Sequence, residues 1–332
     1  MSKSEKIKGR LSAIDVLRGI AILGVMVLHS DLEGLTDPVR RAILGVFDWS
    51  VLAFFLISGY LHNYGIPLIH VFRKRLVVLI VPFIVYNISY NLLFSVLDSS
   101  VIARDLGIPV TNLAVSLPWW CWAFDSPAFH LYFLPDLFAI TILSHGILGR
   151  LSETTRRRSA VVTLVSLPLL YLILPTPVIS HGASLAVVPL YMASFLLGGM
   201  FHPSNILYPK WAVALAGIAL APLMFCSSLF PNPSLSFVIV SLLFIFVVKI
   251  LKGCNGGWIG LVGRCSGSIY LWHTPVLMPA VSAGLFACGL IGSLTWLLNI
   301  GISLTICIGV RLAFEKVVFR VFGCPLPRVV TL

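Results

Sequence analysis

Charge is what this chain most lacks. Only 11% of its 332 residues are Asp, Glu, Lys or Arg, against about 25% in soluble domains. That scarcity excludes a soluble globular domain. Cysteine is present but unpatterned. Cys121, Cys226, Cys254, Cys265, Cys288, Cys307 and Cys324 form no CxxC pair and total an odd seven. This argues against a disulfide framework and a zinc site, and no metal site is expected. No internal repeat and no polar stretch of domain length occurs, so residues 1–332 read as a single transmembrane domain. What is abundant is apolar: 58% of residues are hydrophobic and the mean hydropathy is +1.01. The formal charge of +11 does not read as a nucleic-acid footprint, because the basic residues are dispersed over short loops.

About 20 apolar residues span a bilayer as a helix. On that rule ten spans are expected, at 14–32, 43–63, 76–97, 129–148, 160–179, 184–201, 211–230, 234–251, 267–288 and 294–314. The fold class predicted is an all-α polytopic membrane bundle. The basic N-terminus followed by an apolar run resembles a signal peptide. Asp15 and Arg18 interrupt that run, so an uncleaved first helix is expected. Alternate loops collect the positive charge: 19 of the 23 Lys and Arg fall on one side, and only Arg40, Arg41 and Arg104 on the other. By the positive-inside rule this places both termini in the cytoplasm. The longest connection, about 98–128, holds Trp119, Trp120 and Trp122. These read first as an interfacial aromatic belt.

Against this background the polar residues inside spans carry information, because burying an ionisable group in hydrocarbon costs roughly 2.5–3.5 kcal/mol on insertion scales. Arg18 and His29 lie eleven residues apart in the first span. On an α-helix that is about 20° from a common face and about 16 Å along the axis. Asp15 precedes Arg18 by three residues and can pair with it. One helix thus presents an arginine in its cytoplasmic half and a histidine near its outer end. His130 lies near the same outer level in the fourth span. Asp136 lies about 9 Å deeper and about 120° round from His130, which rules out a dyad on one helix face. His273 falls mid-span beside Tyr270 and Trp272, where a core histidine is the plain alternative. Arg73, Lys74 and Arg75 sit where the topology rule puts charge in any case. Glu315 and Arg311 form a candidate i, i+4 pair. His62, His70, His145, His181 and His202 lie near span ends and receive no role.

Several segments together resemble membrane-bound acyltransferase family 3. "IDVLRGIAILGVMVLH" is similar to the family's first-helix signature, with Arg18 and His29 at the Arg and His. "VLAFFLISGYL" (51–61) resembles its second helix. "FRKRLVVLIVPF" (72–83) resembles its basic loop. "FHLYFLPDLFAI" (129–140) and "SGSIYLWHTPVL" (266–277) resemble its His-Leu-Trp-Phe-Leu and Ser-x-Tyr-x-x-His segments. Two positions depart: Tyr132 stands for the usual Trp, and Val77 and Val78 stand where a second basic residue is usual.

The resemblance implies O-acylation of an envelope glycan at the inner membrane. It implies acyl-CoA, chiefly acetyl-CoA, as donor substrate with no bound cofactor. It implies a glycan acceptor, lipid-linked or periplasmic. Arg73, Arg75 and Arg18 are then candidates for holding the donor. His29 is the candidate base, supported by Arg18 and His130. Asp136, His273 and Tyr270 are candidates for the acceptor side. An imidazole of ordinary pKa about 6.5 suits proton transfer from a sugar hydroxyl. Arg18, His130 and Tyr270 are alternative donors to the thioester oxyanion. A secondary transporter or exporter of a small polar or sugar-linked substrate is the rival reading, since intramembrane charges also serve transport.

Overall fold

The computed structural model describes residues 3–98, 129–152, 188–200, 210–229, 233–250 and 256–322, apart from 31, 33, 34, 291 and 293, together with 154, 155, 158 and 162. Among the described residues every regular element is helical. The helices are α1 (Lys3–Leu28), α2 (Asp37–Phe47), α3 (Ser50–Tyr60), α4 (Leu68–Arg75) and α5 (Val81–Asp98). A π-turn, Leu76–Ile80, joins the last two. After a 3₁₀ turn at Phe129–Tyr132 come α6 (Phe133–Leu148), α7 (Val188–Met200), α8 (Lys210–Leu229), α9 (Pro233–Ile250) and α10 (Gly257–Arg264). The last described elements are α11 (Ser266–Trp272), a π-turn (His273–Leu277), α12 (Met278–Ala287) and α13 (Thr295–Phe322).

Helices lie over nine of the ten stretches expected to span. Except for Val162, the tenth, 160–179, lies outside the described residues, as do Trp119, Trp120 and Trp122. Five segments are long and apolar enough to cross a membrane: Asp37–Tyr60, Leu68–Leu93, His130–Leu148, Ser266–Ala287 and Thr295–Val317. Val188–Met200, Ala214–Cys226 and Leu235–Val248 are apolar but shorter. The second segment starts earlier than hydropathy suggests, at Asp37. Thr36 is extended, and Pro38 occupies the first turn, where its missing N–H costs nothing.

The centre of the bundle is α3. Leu52, Phe55, Leu56 and Ile57 are enclosed on all sides, so this helix faces neighbours around its whole circumference. α1 and α7 pack against it, with Phe55 stacked on Tyr191 at 4.4 Å between ring centroids. The outer helices show the opposite pattern. Val77, Val81, Ile84, Val85 and Ile88 on the α4–α5 segment, and Ile302, Ile306, Val310 and Phe314 on α13, are exposed and apolar. Such stripes suit hydrocarbon and not water.

Apolar surface gives no drive for helices to associate within lipid, so close packing must supply it. Two contacts do this without side chains. A Cβ on Gly198 of α7 would sit 1.9 Å from the carbonyl oxygen of Leu56 on α3. A Cβ on Gly263 of α10 would sit 1.7 Å from the carbonyl oxygen of Asp15 on α1. In the last hairpin Gly289 has φ +74°. Leu290 N–H reaches Leu285 at 3.0 Å and Gly289 N–H reaches Phe286 at 2.9 Å, closing α12 with the two bonds of a Schellman stop.

These contacts give a matched test. Gly198→Ala forces backbone apart and is expected to destabilise by on the order of 3 kcal/mol. Gly146→Ala, at a helical position with nothing within 4 Å, is expected to be neutral or stabilising by up to about 1 kcal/mol. Thermal unfolding of the two purified variants, monitored by size-exclusion in detergent, distinguishes them. Equal stability would contradict the packing.

Candidate active site

The site begins with a proline. Pro275 has no N–H and disfavours a helical residue before it. Thr274 is accordingly non-helical, with φ −134° and ψ 157°, and α11 ends at Trp272. The carbonyl of Leu271, which would have received the missing N–H, instead accepts the Tyr90 hydroxyl at 2.6 Å. His273 turns back on its own helix. Its Nδ1 lies 2.9 Å from the Ile269 oxygen and 3.0 Å from that of Tyr270. A position that reads in sequence as mid-helix is a break.

Three imidazoles converge beside that break. His29 follows the last residue of α1, its N–H on the Val25 carbonyl at 3.2 Å. His130 lies in the 3₁₀ turn ahead of α6. The ring centroids are 5.3 Å apart for His29–His273, 5.5 Å for His130–His273 and 6.4 Å for His29–His130. His273 and His130 are 0% and 1% exposed, whereas His29 is half-buried. His29 is therefore the ring a substrate can reach. Tyr270 packs at 5.7 Å from the His130 ring and donates its hydroxyl to the His130 backbone carbonyl. That donation uses the only proton the hydroxyl has, so Tyr270 holds the His130 turn in place.

Toward the other end of α1 lies a cationic group. Arg18 Nη1 is 3.7 Å from Asp15, the pair expected from their spacing. Asp15 also lies within electrostatic range of Arg264, and Arg75 within range of Arg18. Arg18 Nε is enclosed without a hydrogen-bond partner. Arg75 is half-buried, whereas Arg73 and Lys74 are exposed. Arg73 is about 200° round the helix from Arg75. Of the basic cluster, Arg75 joins Arg18 and Arg73 stays on the outer surface of α4.

Asp136 is half-buried in α6, with Oδ2 enclosed and unbonded. It lies within electrostatic range of the Tyr132, Tyr191 and Tyr270 hydroxyls. Tyr132 and Tyr191 hydroxyls meet at 3.3 Å. Asp48, in range of the same two, accepts the Ser236 hydroxyl at 2.8 Å. Sequence reasoning missed Asp48, Ser236, Tyr191 and Tyr90. Asp48 alone carried a signal, an acid inside an expected span. Elsewhere, His62 Nε2 and His145 Nδ1 meet at 3.0 Å beside Tyr64. Arg311 and Glu315 pair at 2.7 Å, as their spacing suggested. Among the described residues no group of three or more His, Cys, Asp or Glu is placed to hold a metal ion.

The Tyr270 contact is open to measurement. Tyr270→Phe removes one buried donor and is expected to cost about 1–2 kcal/mol, lowering the thermal midpoint by a few degrees. An unchanged midpoint would show that the hydroxyl does not hold the turn.

Comparison with known proteins bears on what such a site does. A family model described as an acyltransferase domain, that of acyltransferase family 3, matches residues 11–312. No curated protein and no solved structure matches the chain. The matched region contains both the arginine pair and all three histidines, which favours a transferase over an exporter. With the match reaching from within α1 into α13, the chain belongs to acyltransferase family 3 and is a multi-pass membrane acyltransferase.

Proposed function

We propose that the protein is an acyl-CoA-dependent O-acyltransferase of the inner (cytoplasmic) membrane. It would move an acyl group, most simply acetyl, to a hydroxyl of an envelope glycan. The observation that carries this reading is the separation, along α1, of a half-buried arginine pair from a cluster of three imidazoles. With ten spans and both termini cytoplasmic, the arginines face the cytoplasmic half and the histidines the outer half. This layout supports a donor entering from one side and an acceptor from the other.

In this reading Arg75 and Arg18 bind the phosphates of the donor through charge-assisted hydrogen bonds, and exposed Arg73 adds a weaker surface attraction. The pantetheine arm runs along α1 and brings the thioester to His29. His29 takes the proton of the acceptor hydroxyl as its oxygen attacks the thioester carbonyl. A new C–O bond forms, the C–S bond breaks, and the departing thiolate takes the proton from His29. His130 lies beside the reacting atoms as the candidate oxyanion donor. Asp136 and its tyrosine neighbours lie on the acceptor side, where carboxylate and phenol groups can bind sugar hydroxyls.

The deciding experiment is mass spectrometry of envelope glycans from the native host with the gene, without it, and with His29→Ala. An acetyl increment is expected only with the unmutated gene. His29→Ala is expected to lower transfer by about 10²- to 10⁴-fold, and Arg18→Ala to abolish it, with both proteins still inserted. Arg75→Ala is expected to raise the donor KM about tenfold or more, against about threefold or less for Arg73→Ala. An increment that persists in the inserted His29→Ala protein would move the base elsewhere. No increment of any acyl group would overturn the enzyme reading.

A further inference from the structure

His273 has one ring nitrogen fully committed and one that is not. Both acceptors at Nδ1 are backbone carbonyls, at 2.9 and 3.0 Å. A carbonyl has no hydrogen to give, so the proton of the neutral ring resides on Nδ1. Nε2 therefore carries a lone pair. It is enclosed, and the structure gives it no hydrogen-bond partner. A lone pair buried in that way is costly, and an N–H or O–H donor relieves it. Tyr270, 6.2 Å away between centroids, has spent its proton on the His130 carbonyl. The nearest remaining ring is His29, at 5.3 Å and tilted by 58°.

We propose that His273 is a positioning residue for His29. Its Nε2 accepts an N–H from His29 through a small rotation of the His29 ring. That bond fixes the His29 tautomer and puts the lone pair of the neutral ring on its second nitrogen, the atom that takes the acceptor proton. The part is the one an acidic residue plays behind the histidine of a hydrolytic triad, performed here by a neutral imidazole suited to an apolar interior. The inference rests on the reading of His29 as the base. The acceptor proton passes to that unprotonated nitrogen of His29 as the C–O bond forms. It leaves to the thiolate after the C–S bond breaks. His273 keeps its Nδ1 proton throughout and neither gains nor loses one.

A histidine that merely stops a broken helix needs only the N–H on Nδ1. A positioning histidine needs the lone pair on Nε2 as well. His273→Asn can keep the first and loses the second, whereas His273→Gln can place an oxygen near the Nε2 position. With acetyl-CoA as donor and native-host membranes as acceptor source, His273→Asn is expected to lower kcat by about 10²- to 10⁴-fold, with KM for acetyl-CoA unchanged. His273→Gln is expected to recover activity to within about tenfold of the unmutated enzyme, since an amide oxygen replaces the lost acceptor. A His273→Asn enzyme with normal kcat would overturn the proposal, as would a kcat that falls equally in both variants.

A second measurement does not depend on turnover. Solid-state ¹⁵N NMR of histidine-labelled full-length protein in bilayers reads the tautomers directly. His273 is expected as the Nδ1–H form and His29 as one neutral tautomer, which becomes a mixture in His273→Asn and stays single in His273→Gln. A proton on Nε2 of His273, or a mixed His29 in the unmutated protein, would overturn the pairing whatever the activity. Single tautomers in an unmutated protein that transfers no acyl group would overturn the catalytic reading and with it the positioning role, while leaving the hydrogen bond in place.

Discussion

A missing N–H at Pro275 is the constraint on which the site depends. In a membrane interior no water is available to satisfy a freed carbonyl, so the protein must do so itself. Two side chains answer. Tyr90 takes the Leu271 oxygen that Pro275 frees, and His273 Nδ1 reaches the oxygens of Ile269 and Tyr270 in the turn before, the first of which also receives the His273 backbone N–H. The first draws α5 against the broken segment. The second locks an imidazole in one orientation, 5.3 Å from the histidine at the end of α1. The same break that costs helical hydrogen bonds therefore sets the geometry of the reactive end.

The opposite end of α1 is fixed by a different device. Gly263 lets α10 approach so closely that its backbone touches that of Asp15. This brings Arg264 into range of the carboxylate that already faces Arg18. Asp15 thus lies in range of two guanidinium groups, those of Arg18 and Arg264, and Arg75 lies in range of Arg18. Guanidinium groups gathered in this way at one end of α1 favour an anion. Helix α1 thus joins two chemically distinct ends, one suited to binding charge and the other to moving a proton.

The two ends differ in how they tolerate change. The histidine cluster is held by hydrogen bonds of defined direction, so its geometry is sensitive to single atoms such as the Tyr270 hydroxyl. The arginine group is held mainly by long-range attraction, which varies slowly with distance. Close packing around α3 ties both to one rigid centre. The apolar outer faces of α5 and α13 require only hydrophobicity.

Much of this was legible in the sequence. Composition alone determined a membrane-embedded helical chain, because 11% charge cannot clothe a water-soluble surface of this size. The eleven-residue spacing of Arg18 and His29 put them on one stripe, because helix geometry is local. The Asp15–Arg18 and Arg311–Glu315 pairs followed from the same rule. What spacing could not supply was the meeting of His29, His130 and His273, which lie on separate elements and converge only by packing. Nor could it separate Arg75 from Arg73, or bring Asp48 to Ser236, 188 residues away. Periodicity reports which face of a helix a residue occupies. The tertiary structure alone decides which other helix that face meets, because close approach depends on backbone contacts and freed carbonyls far apart in the chain.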